Sequence, residues 1–501
     1  MNQSTSTSFS GAELPALAEY IDQVNPWWRG EPAPPVRLYK RWPLPLLVTR
    51  LQSGVTPAVV LRGPRRVGKT VLLRQGLDTL LNQGVAGHQA LYLPFDELPD
   101  LGKLSQPLLS IAYWFERQRL GCTFNEAARS GTPAFLFLDE VQNLDAWAPQ
   151  LKSLVDNHEV RVFVTGSSSL RIEAGRDSLA GRISTLTLGT LLLREIAGLR
   201  FGHTLEALMP WNGLDALLRR EFWEEAKAKG ERERGVRAET FRAFSERGGY
   251  PSAHERYDIP WPEMADQLNE SVIQRAIRHD LRRGRSGRRR DEDLLNEVFR
   301  LACRYAGQAP GPDAFVPEVR QALREDIGWN RVLNYLRLLD ETLLLRLIPP
   351  LELRLKKRGA PDKVVLCDHG LRAAWLQEVI PLAPEGLAAA PHLTDLAGRI
   401  AESVLGYFLL SIPNLDVAYY PARGIEPEVD FVLTVGTRRI PIEVKYRKRI
   451  DPHEDTRGLR AFLEKAVYNA PFGLLVTLDD EVTVPDPRII PISLSSLLWV
   501  R

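Results

Sequence analysis

The sequence predicts a multidomain α/β chain. It should open on a parallel sheet around a phosphate-binding loop, continue through a helical segment and a pair of helices with a wing, and close on a second α/β segment. Three observations predict this. The 501 residues exceed what one ordinary core organises, and about two to four domains are expected. Four short apolar runs alternate with helical stretches between Val59 and Gly202. Two motifs made of chemistry-bearing residues stand near the two ends of the chain, GxxxxGK[ST] and D…ExK.

Composition narrows the class. Hydrophobic residues are 44% and charged residues 26%, an ordinary globular balance that argues against a disordered or fibrous chain. Lys+Arg 65 against Asp+Glu 63 leaves a net charge of +2, so any surface for a polyanion must come from local clustering. Cys122, Cys303 and Cys367 lie far apart, which fits neither a disulfide framework nor a zinc knuckle and suits a reducing compartment. The eight histidines show no HxxxH or HExxH spacing, so no zinc is expected. The Ser/Thr-rich start lacks the form of an export signal, and no apolar run approaches the length of a membrane span. A cytoplasmic protein without membrane association is the expectation.

Residues 1–45, with Trp27, Trp28 and many prolines, read as an extended lead-in packed on the next domain. The strand runs of the first sheet are Ala58–Leu61, Ala90–Leu93, Phe135–Leu138 and Val160–Val164, within a domain drawn at 46–202. Residues 203–285 are charged and helix-biased. Residues 286–394 form the next division, in which 316–348 has the period of two helices and a wing. Val332, Tyr335, Leu336 and Leu339 share one helical face, whereas Arg331, Asn334 and Arg337 fall largely elsewhere and are placed to meet a groove. Residues 395–501 return to mixed helix and strand. Trp223, Trp261, Trp329 and Trp375 are scattered and read as packing residues.

Gly63-Pro64-Arg65-Arg66-Val67-Gly68-Lys69-Thr70 follows a strand and precedes the helical run from Val71. That context is what phosphate binding needs. Glycines let the backbone turn its N–H groups inward, and the helix N-terminus adds its positive end. Lys69 is placed to reach the β- and γ-phosphates of ATP, and the Thr70 hydroxyl to ligate Mg²⁺. Asp139 and Glu140 emerge from the C-terminal end of an apolar strand, the end that faces the ligand crevice of an open α/β sheet. Asp139 suits Mg²⁺ through water, and Glu140 suits the general base that activates the attacking water. The next strand ends in Thr165-Gly166-Ser167-Ser168-Ser169, where a hydroxyl, assigned to Ser167, would contact the γ-phosphate or the water. Arg176 and Arg182 are candidates for a finger reaching a neighbouring subunit's γ-phosphate.

In the last hundred residues Asp430 and the pair Glu443/Lys445 lie on two β-patterned runs joined by a turn at Val435-Gly-Thr-Arg. Glu443 and Lys445, two apart, share a strand face, and an adjacent strand brings Asp430 to it. Two carboxylates so placed suit Mg²⁺ or Mn²⁺, Glu402 adds a further one, and the lysine would activate a metal-bound water or stabilise a pentavalent phosphate. From Arg275 to Arg290 there are eight arginines and one acid, densest at Arg282-Arg283-Gly-Arg285-Ser-Gly-Arg288-Arg289-Arg290, a pattern that suits DNA phosphates or a charged linker.

GPRRVGKT, FLDEVQNLDAW (Phe137–Trp147), VTGSSS and LAGR together resemble prokaryotic AAA+ ATPases of a largely uncharacterised group, over about residues 35–500. Gly248-Gly249-Tyr250-Pro251 and the D…ExK strands extend the resemblance. It implies an AAA+ core, a helical lid, a winged-helix domain and a restriction-endonuclease-like domain similar to PD-(D/E)xK nucleases. One departure is Leu188-Gly-Thr-Leu-Leu-Leu before Arg194-Glu195, where the family favours a Pro-Leu-Ser-Phe-type strand, and this leaves the lid junction open. The resemblance implies ATP hydrolysis coupled to DNA, such as branch migration or repair-junction remodelling, in a homo-oligomeric ring with hexamers among the sizes expected. Two other functions stay open: an ATP-gated, Mg²⁺-dependent DNA nuclease of a defence or toxin system, and an ATP-binding switch that recruits a protein partner.

Overall fold

The computed structural model describes residues 14–166, 179–209, 213–280, 291–352, 359–422, 424 and 426–501. The chain divides into two compact units, Met1–Leu188 and Gly189–Arg501. Residues 189–202, which sequence reading kept with the first domain, belong to the second unit. Among the described residues no helix is long and apolar enough to cross a membrane.

The first unit is built on a five-stranded sheet: β1 (Ala58–Arg62), β2 (Ala90–Pro94), β3 (Phe135–Asp139), β4 (Arg161–Gly166) and β5 (Ile183–Thr187), in the order β2-β3-β4-β1-β5. Every pairing is parallel. The first four strands are the apolar runs of the sequence, and nearly all their residues are buried. β5 escaped sequence reading because Ile-Ser-Thr-Leu-Thr is a half-polar edge strand. The order matters for the site. β4 lies between β1 and β3, so the end of β4 stands between the phosphate loop and the paired acids.

The lead-in is a helix (Pro15–Val24) and a 3-10 turn (Pro26–Arg29) before an extended stretch, not an extended segment throughout. Pro15 sits at the start of the helix, where its missing N–H costs nothing. The expected packing is present. Asn25 accepts from the Tyr92 amide at 2.7 Å and donates to the Tyr92 carbonyl at 3.0 Å, so one side chain satisfies an open position of edge strand β2. The Trp27 and Trp28 indoles both donate to Ala90 O.

The second unit opens with helices between Leu193 and Leu268. Three more follow, α2 (Glu292–Arg304), α3 (Pro312–Leu323) and α4 (Trp329–Glu341), then an antiparallel pair, β6 (Leu345–Ile348) and β7 (Lys363–Leu366). On α4, Val332, Leu336 and Leu339 are buried, and Arg331, Asn334 and Arg337 are exposed, as the helical period predicts. Helix α5 (Thr394–Leu410) then leads into β8 (Asp416–Tyr420), β9 (Val429–Val435), β10 (Arg438–Lys445), helix α6 (Arg457–Leu463), β11 (Gly473–Thr477) and β12 (Ile489–Ser493). The sheet order is β12-β11-β10-β9-β8, antiparallel through β8-β9-β10 and parallel through β10-β11-β12. The turn at Gly436 and Thr437 joins β9 to β10 where the sequence placed it, with Gly436 in the left-handed region.

Candidate functional site

The phosphate loop runs from the end of β1 into α1 (Lys69–Asn82). Its glycines are required by geometry. A Cβ on Gly63 would stand 2.2 Å from Leu188 O, and Gly68 has φ +96°, a region costly for any residue with a side chain. Arg66 also adopts positive φ, the kind of backbone conformation from which anion-binding nests are built. Val67 is buried, and its carbonyl accepts from the Arg41 guanidinium at 2.8 Å, so the lead-in helps to hold the loop. Pro64 is buried, Arg65 is half-buried, Arg66 is exposed, and Val71 lies in the first turn of α1.

Lys69 is only 4% exposed and folds back on the loop, donating to Gly63 O at 3.0 Å and Pro64 O at 2.8 Å. Thr70 Oγ1 donates to Asp139 Oδ1 at 3.2 Å. Tyr92 OH donates to Asp139 Oδ2 at 3.3 Å, and Thr165 Oγ1 donates to Asp139 Oδ1. Thr165 Oγ1 also accepts from the Glu140 amide at 3.2 Å. The Glu140 carboxylate accepts from Gln142 Nε2, and its backbone takes φ +50°, a strained value for a non-glycine residue. Burial pushes the Asp139 carboxyl up from its ordinary pKa, the Thr165 hydrogen bond opposes this, and the Glu140 charge adds to it.

Lys69, Thr70, Asp139 and Glu140 are thus gathered at one end of the sheet. Sequence reading missed Tyr92, Gln142 and Arg74, whose guanidinium donates to Tyr92 OH at 3.1 Å. It assigned the strand-end hydroxyl to Ser167; Thr165, two residues earlier, bonds both acids. Ser167 and Arg176 lie outside the described residues, as do arginines 282–290 of the basic run. Arg182 is half-buried and paired with Asp156 of the same unit.

The second constellation lies on β9, β10 and α5. The antiparallel register that sets Ile442 opposite Phe431 puts Glu443 beside Asp430 at the next position. Asp430 Oδ2 accepts from the Val444 amide at 2.8 Å, and Lys445 Nζ donates to Glu443 Oε1 at 2.6 Å. Glu443 is 7% exposed; burial, then the Asp430 charge, pushes its carboxyl up to about 8. Glu402 reaches the same cluster from α5, but it meets a residue that the sequence did not point to. Lys363, at the start of β7 and 1% exposed, donates to Glu402 Oε1 and to Asp430 O, and pairs with Asp430 Oδ1 at 3.6 Å and Glu428 Oε1 at 3.4 Å. Burial works against its charge; Glu402, Asp430 and Glu428 outweigh burial and hold it protonated, with its pKa above the ordinary lysine value. Among the described residues no group of three or more His, Cys, Asp or Glu is arranged to hold a metal ion. The only sequence trace of Lys363 is a lone charge opening the buried run Lys-Val-Val-Leu.

Residues 55–197 match the protein family described as an AAA domain. These residues form a P-loop ATPase domain. Beyond the AAA domain, residues 238–379 and 397–496 match two domains of unknown function, DUF8612 and DUF4143. An uncharacterised protein of Haemophilus influenzae is 23% identical over 404 residues, 79% of this chain and 84% of its own. An uncharacterised protein of Mycobacterium tuberculosis is 30% identical over 145 residues, 28% of this chain and 26% of its own. Among solved structures, a Walker-type ATPase of Pyrococcus abyssi aligns at 13% identity and a TM-score of 0.40, over 70% of this chain and 99% of its own.

Proposed function

We propose that the protein is an ATP-hydrolysing AAA protein acting on DNA, one that remodels or branch-migrates junction or repair intermediates, with a C-terminal domain that holds DNA. The observation that carries the ATPase half is the meeting of Lys69, Thr70, Asp139 and Glu140 at the ends of β1 and β3, with Thr165 of β4 between them.

In this reading the backbone of Gly63–Val71 cradles the triphosphate, and Lys69 exchanges the loop carbonyls for phosphate oxygens. The pairing of Thr70 with Asp139 fits Mg²⁺ bound directly by the hydroxyl and through water by the carboxylate; when bound, it neutralises charge on the β- and γ-phosphates. Glu140 takes the proton of the attacking water, and Gln142 fixes the orientation of its carboxylate. Arg182 acts in a neighbouring subunit's site after leaving Asp156, which makes the working form a ring.

Three features support the DNA half. Helices α2–α4 followed by the β6–β7 pair have the element order of a winged helix, with Asn334 and Arg337 exposed on α4. The arginine run supplies phosphate-binding charge. The antiparallel-then-parallel sheet carrying Asp430, Glu443 and Lys445 is in keeping with a restriction-endonuclease-like domain over 395–501. Residues 203–285 then serve as lid and basic linker.

The test is ATP turnover with and without fork, four-way junction, duplex and single-stranded DNA, with strand products read from the same tubes. Branched DNA should raise turnover. Replacing Arg288, Arg289 and Arg290 should weaken DNA binding and flatten its salt dependence. Turnover indifferent to every DNA, together with an unchanged salt slope, would favour a switch that recruits a protein partner.

A further inference from the structure

The resemblance of the C-terminal sheet to metal-dependent nucleases implies a divalent cation among Glu402, Asp430 and Glu443. Two of these three carboxylates, Glu402 and Asp430, already hold a cation. Lys363 Nζ has Glu402 Oε1, Asp430 O, Asp430 Oδ1 and Glu428 Oε1 around it, and the faces of Tyr419 and Phe431 at 5.3 and 5.1 Å. An ammonium has three donors and a positive charge, and here both are met by oxygens and ring faces. Mg²⁺ or Mn²⁺ would need the same carboxylate oxygens at about 2.1 Å, in octahedral order. It would need them beside a fixed positive charge.

We propose that Lys363 is the resident cation of this cluster and that it excludes a divalent metal from Glu402, Asp430 and Glu443.

Access does not explain the exclusion. A cavity of about 610 Å³ reaches Glu402, Glu428 and Asp430, with Arg399, Gln308 and Tyr305 also on its wall, which is ample room for a hydrated ion. Lys363 comes from β7, held in register against β6 and outside the segment that carries the carboxylates. Its backbone is therefore anchored by the pairing with Ile348, and its side chain is fixed by burial. Glu443 points the same way. Its Oε1 is taken by Lys445, while Oε2 is buried and has no hydrogen-bond partner among the described residues. This carboxylate, too, is already held by an ammonium of the chain.

Binding of Mn²⁺ to the nucleotide-free full chain tests this, followed by electron paramagnetic resonance of free Mn²⁺. Wild type and Lys363→Arg should show no binding that Asp430→Asn removes. Lys363→Met should bind Mn²⁺ at least tenfold more tightly than wild type, and Asp430→Asn added to it should reverse the gain. A wild-type chain that binds Mn²⁺ with affinity lost in Asp430→Asn overturns the proposal, as does a folded Lys363→Met that gains none. If Lys363→Met does not fold, the comparison of wild type with Asp430→Asn decides alone. No arm involves DNA or ATP turnover, so the outcome is independent of the function proposed above.

Discussion

Thr165 and Asp139 are joined side chain to side chain across neighbouring strands, the hydroxyl of the first donating to the carboxylate of the second. The same hydroxyl accepts from the amide of Glu140, so one small residue sets both acids of the ATPase site. Thr165→Val keeps the shape and removes both contacts. A buried acceptor that loses a donor costs about 1–3 kcal/mol, which is roughly 5- to 150-fold in rate if the loss falls on the transition state. ATP turnover should fall by that factor while nucleotide affinity changes little, because Lys69 and the loop are untouched. Equal losses in affinity and turnover would show that Thr165 only supports the loop.

Glu140 and Lys69 should separate cleanly. Lys69→Ala removes the buried ammonium that faces the loop carbonyls and should abolish nucleotide binding. Glu140→Gln keeps the hydrogen-bonding shape but loses the base; ATP should bind and hydrolysis should fall about 10²- to 10⁴-fold. Fluorescent-nucleotide binding and phosphate release, measured on the same preparations, decide it. Wild-type turnover in Glu140→Gln would remove Glu140 from the chemistry.

The phosphate loop, its two acids and four of the five first-sheet strands were legible because each rests on local pattern: an apolar run, a glycine at a forced φ, an acid at a strand end. β5 was not, because an edge strand with one open side needs no continuous apolar run. The lead-in helix was hidden by its proline content, although Pro15 is an ordinary helix opener. Lys363 and Glu402 are 39 residues apart and meet only through the packing of β7 on α5. No spacing rule reports such a pair. The pairing of Asp430 with Glu443 was legible, because the turn at 436–437 fixes the register of a hairpin.

The second unit contains an ion pair between a buried arginine and a half-buried aspartate whose loss should be large. Arg237, 3% exposed, donates to Asp480 Oδ2 at 2.6 Å and to the hydroxyls of Ser493, Ser495 and Ser496. It ties the helix Arg234–Arg247 to the end of β12. Removing one partner of a fully buried pair costs about 3–5 kcal/mol, and solvent at Asp480 brings the cost here towards or below the lower end. Arg237→Ala should lower the melting temperature of the full chain by several degrees. Arg331→Ala, which breaks an exposed pair with Asp291, should shift it far less. Similar shifts for the two would place the stability of this unit elsewhere.

Two buried histidines set the response of the second unit to acid. His254 Nε2 donates to Gly248 O at 2.7 Å and His369 Nε2 to Ser245 O at 3.3 Å, and neither Nδ1 has a partner among the described residues. Each ring is neutral in the fold, and protonation would put a charge where burial disfavours it. Burial pushes both pKa values down to about 4, against 6.5 for an ordinary histidine. The folded state thus binds fewer protons than the unfolded chain between those values. The stability contributed by each ring is full above pH 6.5, declines as pH falls and is gone near pH 4; at about 1.4 kcal/mol per pH unit it amounts to roughly 3 kcal/mol each. Asp368 works in the opposite sense: burial raises its carboxyl to about 7 against the amides of Gly249, Gly370 and Leu371, so acidification relieves a cost there. Differences between variants isolate the histidines. His254→Gln and His369→Gln should each be less stable than wild type at pH 7.5, and the gap should narrow steadily towards pH 4 in thermal unfolding. Melting curves that stay parallel across that range would mean that the two imidazoles do not titrate on unfolding.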